Sequence, residues 1–240
     1  MTSAPLFRKL ERLGPLSAEA RRVLEDLPLP LRQVAAGRDL VGEGERPTHC
    51  QVLIEGFACR YKMSEDGKRQ IVSFHIPGDM VDFTGLLLGE MDHGIAALTP
   101  LQVAPIPHAT ILDWTRSPPE IGHLLWRDTL IDAAIFREWV VNVGRRSAYA
   151  RTAHLLCELV ARLRAVGLAR DYACELPITQ VELADALGLS HVHVNRMIQE
   201  LRGAGLIELG GRTLVVRDWD GLKGAGEFNP TYLYQLGEAA

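Results

Sequence analysis

The segment PITQVELADALGLSHVHVNRMIQELRGAGLIELGGRTLVVRD, residues 177–218, narrows the possible folds of this chain more than any other stretch. Thr179 followed three residues later by Glu182 is a capping box, in which each side chain accepts from the other residue's backbone N–H, so a helix begins there and runs through ADAL. Gly188 supplies a tight turn. Ser190 is then placed to cap a second helix, 191–202. Val181, Leu183, Ala184, Leu187, Leu189, Val194, Met197, Ile198 and Leu201 recur at helical spacing and form the expected shared core of the pair. His191, Val192, His193, Asn195, Arg196 and Gln199 are left on the outward face of the second helix. Two β-rich runs, LIEL and TLVVR, flank Gly210-Gly211 and predict a hairpin, which makes the whole a winged helix-turn-helix.

That outward face is rich in base-reading residue types: a guanidinium pairs with guanine O6 and N7, and a carboxamide with adenine. It suits insertion into the major groove of double-stranded DNA. The expected DNA-contacting set is Thr179, Gln180, Ser190, His191, Val192, His193, Asn195, Arg196, Gln199 and Arg212. The alternative is a winged helix that only holds proteins together. The net charge of -4 permits the DNA reading, because the acidic excess lies in residues 1–144 while 145–225 are slightly basic.

Upstream, the texture is different. Two short helices open the chain, the second capped by Ser17 and closed by Pro28. From about Pro28 to Trp114, β-rich runs such as QVLIEG, FACRYKM, QIVSFHI and LQVAPI alternate with Gly-containing turns, which signals an antiparallel barrel or sandwich. A long helix follows Pro118-Pro119 and runs from Glu120 to about Val143, with apolar residues on more than one stripe. One stripe can cover the barrel while another, through Leu124, Ile131, Ile135 and Trp139, meets a second subunit. A break near 142–146 precedes another helix, 147–166. The expected divisions are therefore 1–117, a β-roll sensor domain; 118–145, a dimerisation helix and hinge; 146–220, the winged helix-turn-helix; and 221–240, a tail.

This order of elements resembles the Crp/Fnr family over nearly the whole chain. The matching motifs are EGE at 43–45, PGD at 77–79 and the block from Ile178 to Val216. The resemblance implies an α+β chain: an N-terminal antiparallel β-roll (a double-stranded β-helix), a long dimerisation helix and a C-terminal winged helix-turn-helix. It further implies a homodimer on a two-fold symmetric operator, with RNA polymerase as a further partner, Ser190 near a phosphate, and His191, Val192, Asn195 and Arg196 facing bases. Family members that bind cyclic nucleotides carry a Gly-Glu pair for the ribose and an Arg-Ser-Ala for the phosphate. Here Asp82-Phe83 and Met91-Asp92-His93 stand at those positions. A phosphate needs a cation or convergent donors, and no arginine lies between Arg69 and Arg116, so cyclic AMP is not expected. The effector-pocket candidates are Tyr61, His75, Asp82, Phe83, Met91, Asp92 and His93.

Relatives that sense oxygen through an iron-sulfur cluster carry an N-terminal cysteine group, whereas this chain has no cysteine before Cys50, so no cluster is expected. Cys50, Cys59, Cys157 and Cys174 form no C-x-x-C pair and read as small buried hydrophobes. Oxidant sensing by Cys50 and Cys59, or haem ligation by His75 or His93, are the minor alternatives. His191 and His193 lie two apart on a helix and point away from one another, so no metal pair is expected. A cupin-like metal enzyme is the rival reading from another class, but the β-rich region has no closely spaced histidine pair and the chain no P-loop, G-x-S-x-G or H-E-x-x-H. A second rival is a regulator without effector, controlled by its abundance. No run is long and apolar enough for a membrane span, and the first residues lack a signal-peptide core, which together imply the cytoplasm and no membrane partner.

Overall fold

The computed structural model describes residues 4–26 and 30–234. Among the described residues the chain packs as two compact units, 4–26 and 30–62 with 73–132, and 63–72 with 133–234. Helix α1 (Ala4–Leu13) and helix α2 (Ala18–Glu25) open the first unit, and Ser17 Oγ accepts from Ala20 N at 3.1 Å as the expected cap. Pro28, expected to close α2, lies outside the described residues.

Seven strands follow: β1 (Arg32–Val34), β2 (Asp39–Val41), β3 (His49–Glu55), β4 (Ala58–Met63), β5 (Arg69–His75), β6 (Gly94–Ala97) and β7 (Leu101–Pro107), with α3 (Thr84–Leu88) between β5 and β6 and α4 (His108–Trp114) after β7. They make two antiparallel sheets, β1-β7-β3 and β2-β6-β4-β5. Alternation along each strand sends one set of side chains inward. Both sheets contribute to one apolar core: Leu40, Val41, Leu53, Ala58, Val81, Met91, Ile95, Ala97, Leu101 and Val103. This is the expected β-roll, with β1, β2, β6 and α3 added to what the sequence pattern shows. In the PGD turn, Gly78 holds a φ of +101°, and a Cβ there would meet the Pro5 carbonyl oxygen at 2.9 Å, so both the conformation and the approach of α1 require glycine.

Helix α5 (Pro119–Arg145) begins in the first unit and ends in the second. The second unit continues with α6 (Ala148–Ala165), whose cap Ser147 accepts from Ala150 N at 3.2 Å. Next come β8 (Ala169–Arg170), β9 (Ala173–Glu175), α7 (Gln180–Leu187), α8 (His191–Gly203), β10 (Ile207–Gly210), β11 (Thr213–Val216), α9 (Trp219–Gly226) and a 3-10 turn, Pro230–Leu233. α6 is buried on most of its surface and packs against α8 and α9. The wing hairpin is the edge of a four-stranded antiparallel sheet, β10-β11-β9-β8, of which the sequence pattern shows only the hairpin.

Candidate functional site

The helix-turn-helix forms as its local chemistry dictates. Glu182 N donates to Thr179 Oγ1 at 3.2 Å and Thr179 N to Glu182 Oε2 at 2.6 Å, completing the capping box. Gly188 takes the left-handed conformation, φ +61°, at the end of α7. Ser190 Oγ then accepts from His193 N at 3.2 Å and starts α8. Leu183, Ala184, Ala186 and Leu187 of α7 and Val194, Met197, Ile198 and Leu201 of α8 are buried. Val181, expected in that core, is exposed; the first turn of α7 turns it outward, and Ala186 takes a core place instead.

The opposite face of α8 is open. His191, Val192, Asn195, Arg196 and Gln199 are exposed and His193 is half-buried, with Val192 66% exposed although it is apolar. Three contacts order this face. Arg196 Nη2 donates to His193 Nε2 at 3.0 Å, and Arg196 Nε lies 3.8 Å from Glu200 Oε1. Asn195 Nδ2 donates to Gln180 Oε1 at 3.0 Å, joining the outer face of α8 to the start of α7. Thr179 and Gln180 are exposed beside them, and Arg212 is exposed at the wing, 3.8 Å from Glu175. Glu200 was absent from the expected set because nothing in its position separates it from any solvated residue.

The effector-pocket candidates do not all converge. Met91 belongs to the apolar core. Tyr61 Oη donates to Asp39 at 3.0 Å. The Asp92 carboxylate is exposed and faces His93 Nδ1 at 2.6 Å. Phe83 is half-buried at the start of α3. Asp82 is fully buried; its Oδ1 accepts from Gln51 N at 2.6 Å, and burial pushes its pKa up to about 7. His75 and His93 are buried, their Nε2 atoms have no hydrogen-bond partner among the described residues, and burial followed by the nearby Arg60 charge holds both imidazoles below the usual histidine range.

Arg60 is the residue that sequence reasoning missed. It is 6% exposed on β4, and its Nη1 donates to Asp132 Oδ2 of α5 at 2.9 Å. One turn earlier on the same helix, Asp128 pairs with Lys9 of α1 at 2.8 Å, and Lys9 also meets Asp79 of the PGD turn at 3.0 Å. The clue lay in the alternation, since Arg60 occupies the inward parity of a strand, and in two acids four residues apart on an otherwise apolar face of α5.

On α5, Leu124, Ile131, Ile135 and Trp139 are buried within the single chain. Trp139 Nε1 donates to both carboxylate oxygens of Glu158, 3.1 Å each, and Tyr232 Oη donates to Glu158 Oε2 at 2.8 Å. These four therefore serve the chain's own core. The exposed apolar residues of α5 are Trp126, Leu130, Val140, Val141 and Val143. Cys50 and Cys59 are buried, and burial, with the Asp82 charge adding, pushes the Cys50 thiol well above its ordinary range. Among the described residues no three His, Cys, Asp or Glu side chains are grouped to hold a metal ion, and no helix is long and apolar enough to cross a membrane.

Known proteins share this arrangement. Residues 150–225 match the Crp-like helix-turn-helix domain and residues 31–117 the cyclic nucleotide-binding domain. The chain is similar to the nitrogen fixation regulation protein FixK of Bradyrhizobium diazoefficiens, 30% identical over 75% of this chain and 76% of the relative. It is also similar to the transcriptional activator protein FnrL of Cereibacter sphaeroides, 29% identical over 77% of this chain and 75% of the relative. Its fold matches that of FixK2 from Bradyrhizobium japonicum with a TM-score of 0.74 at 25% identity, covering 83% of this chain and 98% of that one. Taken with the winged helix-turn-helix and the β-roll, these likenesses mean that the chain belongs to the Crp/Fnr family of transcription regulators.

Proposed function

We propose that the protein acts as a homodimer on a two-fold symmetric double-stranded operator, placing α8 of each subunit in the major groove. The observation that carries this reading is the outer face of α8, where His191, Val192, Asn195, Arg196 and Gln199 stand exposed while the other face of the helix is fully packed. Arg196 reads a guanine, and Val192, which cannot accept a hydrogen bond, favours a thymine methyl. Thr179, Gln180, Ser190 and Arg212 take backbone contacts on either side, and RNA polymerase is the further partner.

The dimer seam runs along α5 through Trp126, Leu130, Ala133, Arg137, Val140 and Gly144. These follow the alternating four-three spacing of a coiled coil, and Leu130 is 69% exposed in the single chain. Cyclic AMP is not the effector of the roll. The buried cation available there, Arg60, already has a carboxylate partner in Asp132, and Asp92 adds a second negative charge close to His93. Mass measurement of the complex on a duplex carrying a selected operator tests the reading: two chains per duplex are expected, and one chain per duplex contradicts the two-fold arrangement.

A further inference from the structure

We infer that His193 is a positioning residue for base readout: it holds the Arg196 guanidinium in the orientation that meets the DNA, and so sets how strictly one base pair is read. The inference rests on the reading that α8 enters the major groove. A guanidinium only donates, so the 3.0 Å contact between Arg196 Nη2 and His193 Nε2 requires the imidazole to accept there and to carry its proton on Nδ1. His193 is itself placed by the helix start, because Ser190 Oγ accepts from its backbone N–H, and it is half-buried where His191, Val192, Asn195 and Arg196 are exposed. Glu200, one turn beyond, faces Arg196 Nε at 3.8 Å from the other side. The long arginine side chain is thus held between residues three before and four after it, the spacing at which helix side chains meet. Its remaining N–H groups are left to pair with a base edge.

The consequence is a preorganised reader. An arginine of this kind is ordinarily free to wander, and ordering it on binding weakens the discrimination it can deliver. Val192, on the same exposed face, supplies no polar group that could restrain it. His193 meets no base in this arrangement; its effect passes through Arg196.

The test uses the full-length protein and duplexes selected from a random pool. The ratio of affinities for the preferred guanine and its substitutes is measured at the base pair where Arg196→Ala loses its preference. Wild type should prefer guanine by roughly 5- to 150-fold, and Arg196→Ala should bring the ratio close to one. His193→Leu should lower the ratio by roughly 2- to 12-fold while leaving affinity for the substituted site unchanged, and His193→Gln, whose amide oxygen can accept from the same Nη2, should restore it. If His193→Leu keeps the ratio while Arg196→Ala collapses it, the positioning role is overturned and the groove placement stands. If His193→Leu weakens every sequence alike, His193 meets a phosphate and the positioning role is overturned as well. If Arg196→Ala changes no base preference at all, the reading of α8 fails and this inference falls with it.

Discussion

Arg60 and Asp132 form an ion pair in which the cation is almost wholly buried and the anion is not: the Arg60 side chain is 7% exposed and that of Asp132 37%. The pair ties β4 of the roll to the middle of α5. The asymmetry predicts unequal mutants. Asp132→Ala removes the carboxylate facing a nearly buried guanidinium and should cost about 3 kcal/mol, whereas Arg60→Met leaves a carboxylate that water can reach and should cost less. Urea denaturation of both variants checks the order; equal losses would mean that the pair is screened as a surface bridge is.

Asp82 should make stability fall as pH rises. Burial lifts its pKa to about 7, against roughly 4 in the unfolded chain, so between those values the native state binds more protons than the unfolded one. Its unfavourable contribution is absent near pH 4, grows through the window and is complete above pH 7. Asp82→Asn keeps an acceptor for Gln51 N and should gain on the order of 1–4 kcal/mol over wild type at pH 8, with the gap closing toward pH 4. His75 and His93 work in the opposite sense, since their depressed values cost stability as pH falls below about 6.5. Denaturation profiles of the variant at several pH values separate the two; a gap that does not vary with pH would show that Asp82 is ionised in the native state.

Substitution along α5 should divide by face. Trp126→Glu and Leu130→Glu should give folded monomers, because both side chains are exposed on one chain and lie on the four-three seam. Ile131→Glu instead buries a charge in the chain's own core and should cost several kcal/mol of stability. Light scattering and thermal melting distinguish these outcomes. A stable dimer in both surface variants would place the seam elsewhere.

Helix α9 and the 3-10 turn after it, up to Tyr234, are an integral part of the second unit. Gly226 of α9 sits so close to α6 that a Cβ would meet His154 N at 2.6 Å and Ala153 C at 2.9 Å. Beyond it, His154 Nδ1 faces the Gly226 carbonyl at 3.0 Å, and Tyr232 reaches Glu158, which is 0% exposed. Gly226→Ala should therefore cost about 1–3 kcal/mol and Tyr232→Phe about 1–2 kcal/mol, measured by thermal or urea unfolding. Wild-type stability in Gly226→Ala would show that α9 moves aside freely.

What could be read in the sequence was what local chemistry decides. The Thr179–Glu182 box, Gly188 and the caps Ser17 and Ser190 act over three or four residues, and each stands where its sequence places it. Arg60 was hidden because its partner lies 72 residues away, and a charged residue on a strand ordinarily points to water. Periodicity on α5 revealed several apolar stripes but could not say which of them the same chain covers: Ile131 and Ile135 are buried within the single chain, whereas Trp126 and Leu130 are exposed. Strands β8 and β9 escaped because their turn uses Asp171 and Tyr172 at positive φ, +47° and +58°, with no glycine to mark it. The place of Tyr232 depends on Glu158, whose burial only the packed structure displays.

Selection of binding sites from random duplexes, run side by side on wild type and Arg196→Ala, shows whether α8 of each subunit reads a two-fold operator. Wild type should enrich a two-fold symmetric motif with half-site centres about 10 base pairs apart, and Arg196→Ala should retain the symmetry but lose one guanine in each half-site. A motif without two-fold symmetry, or one left unchanged by Arg196→Ala, would contradict that reading.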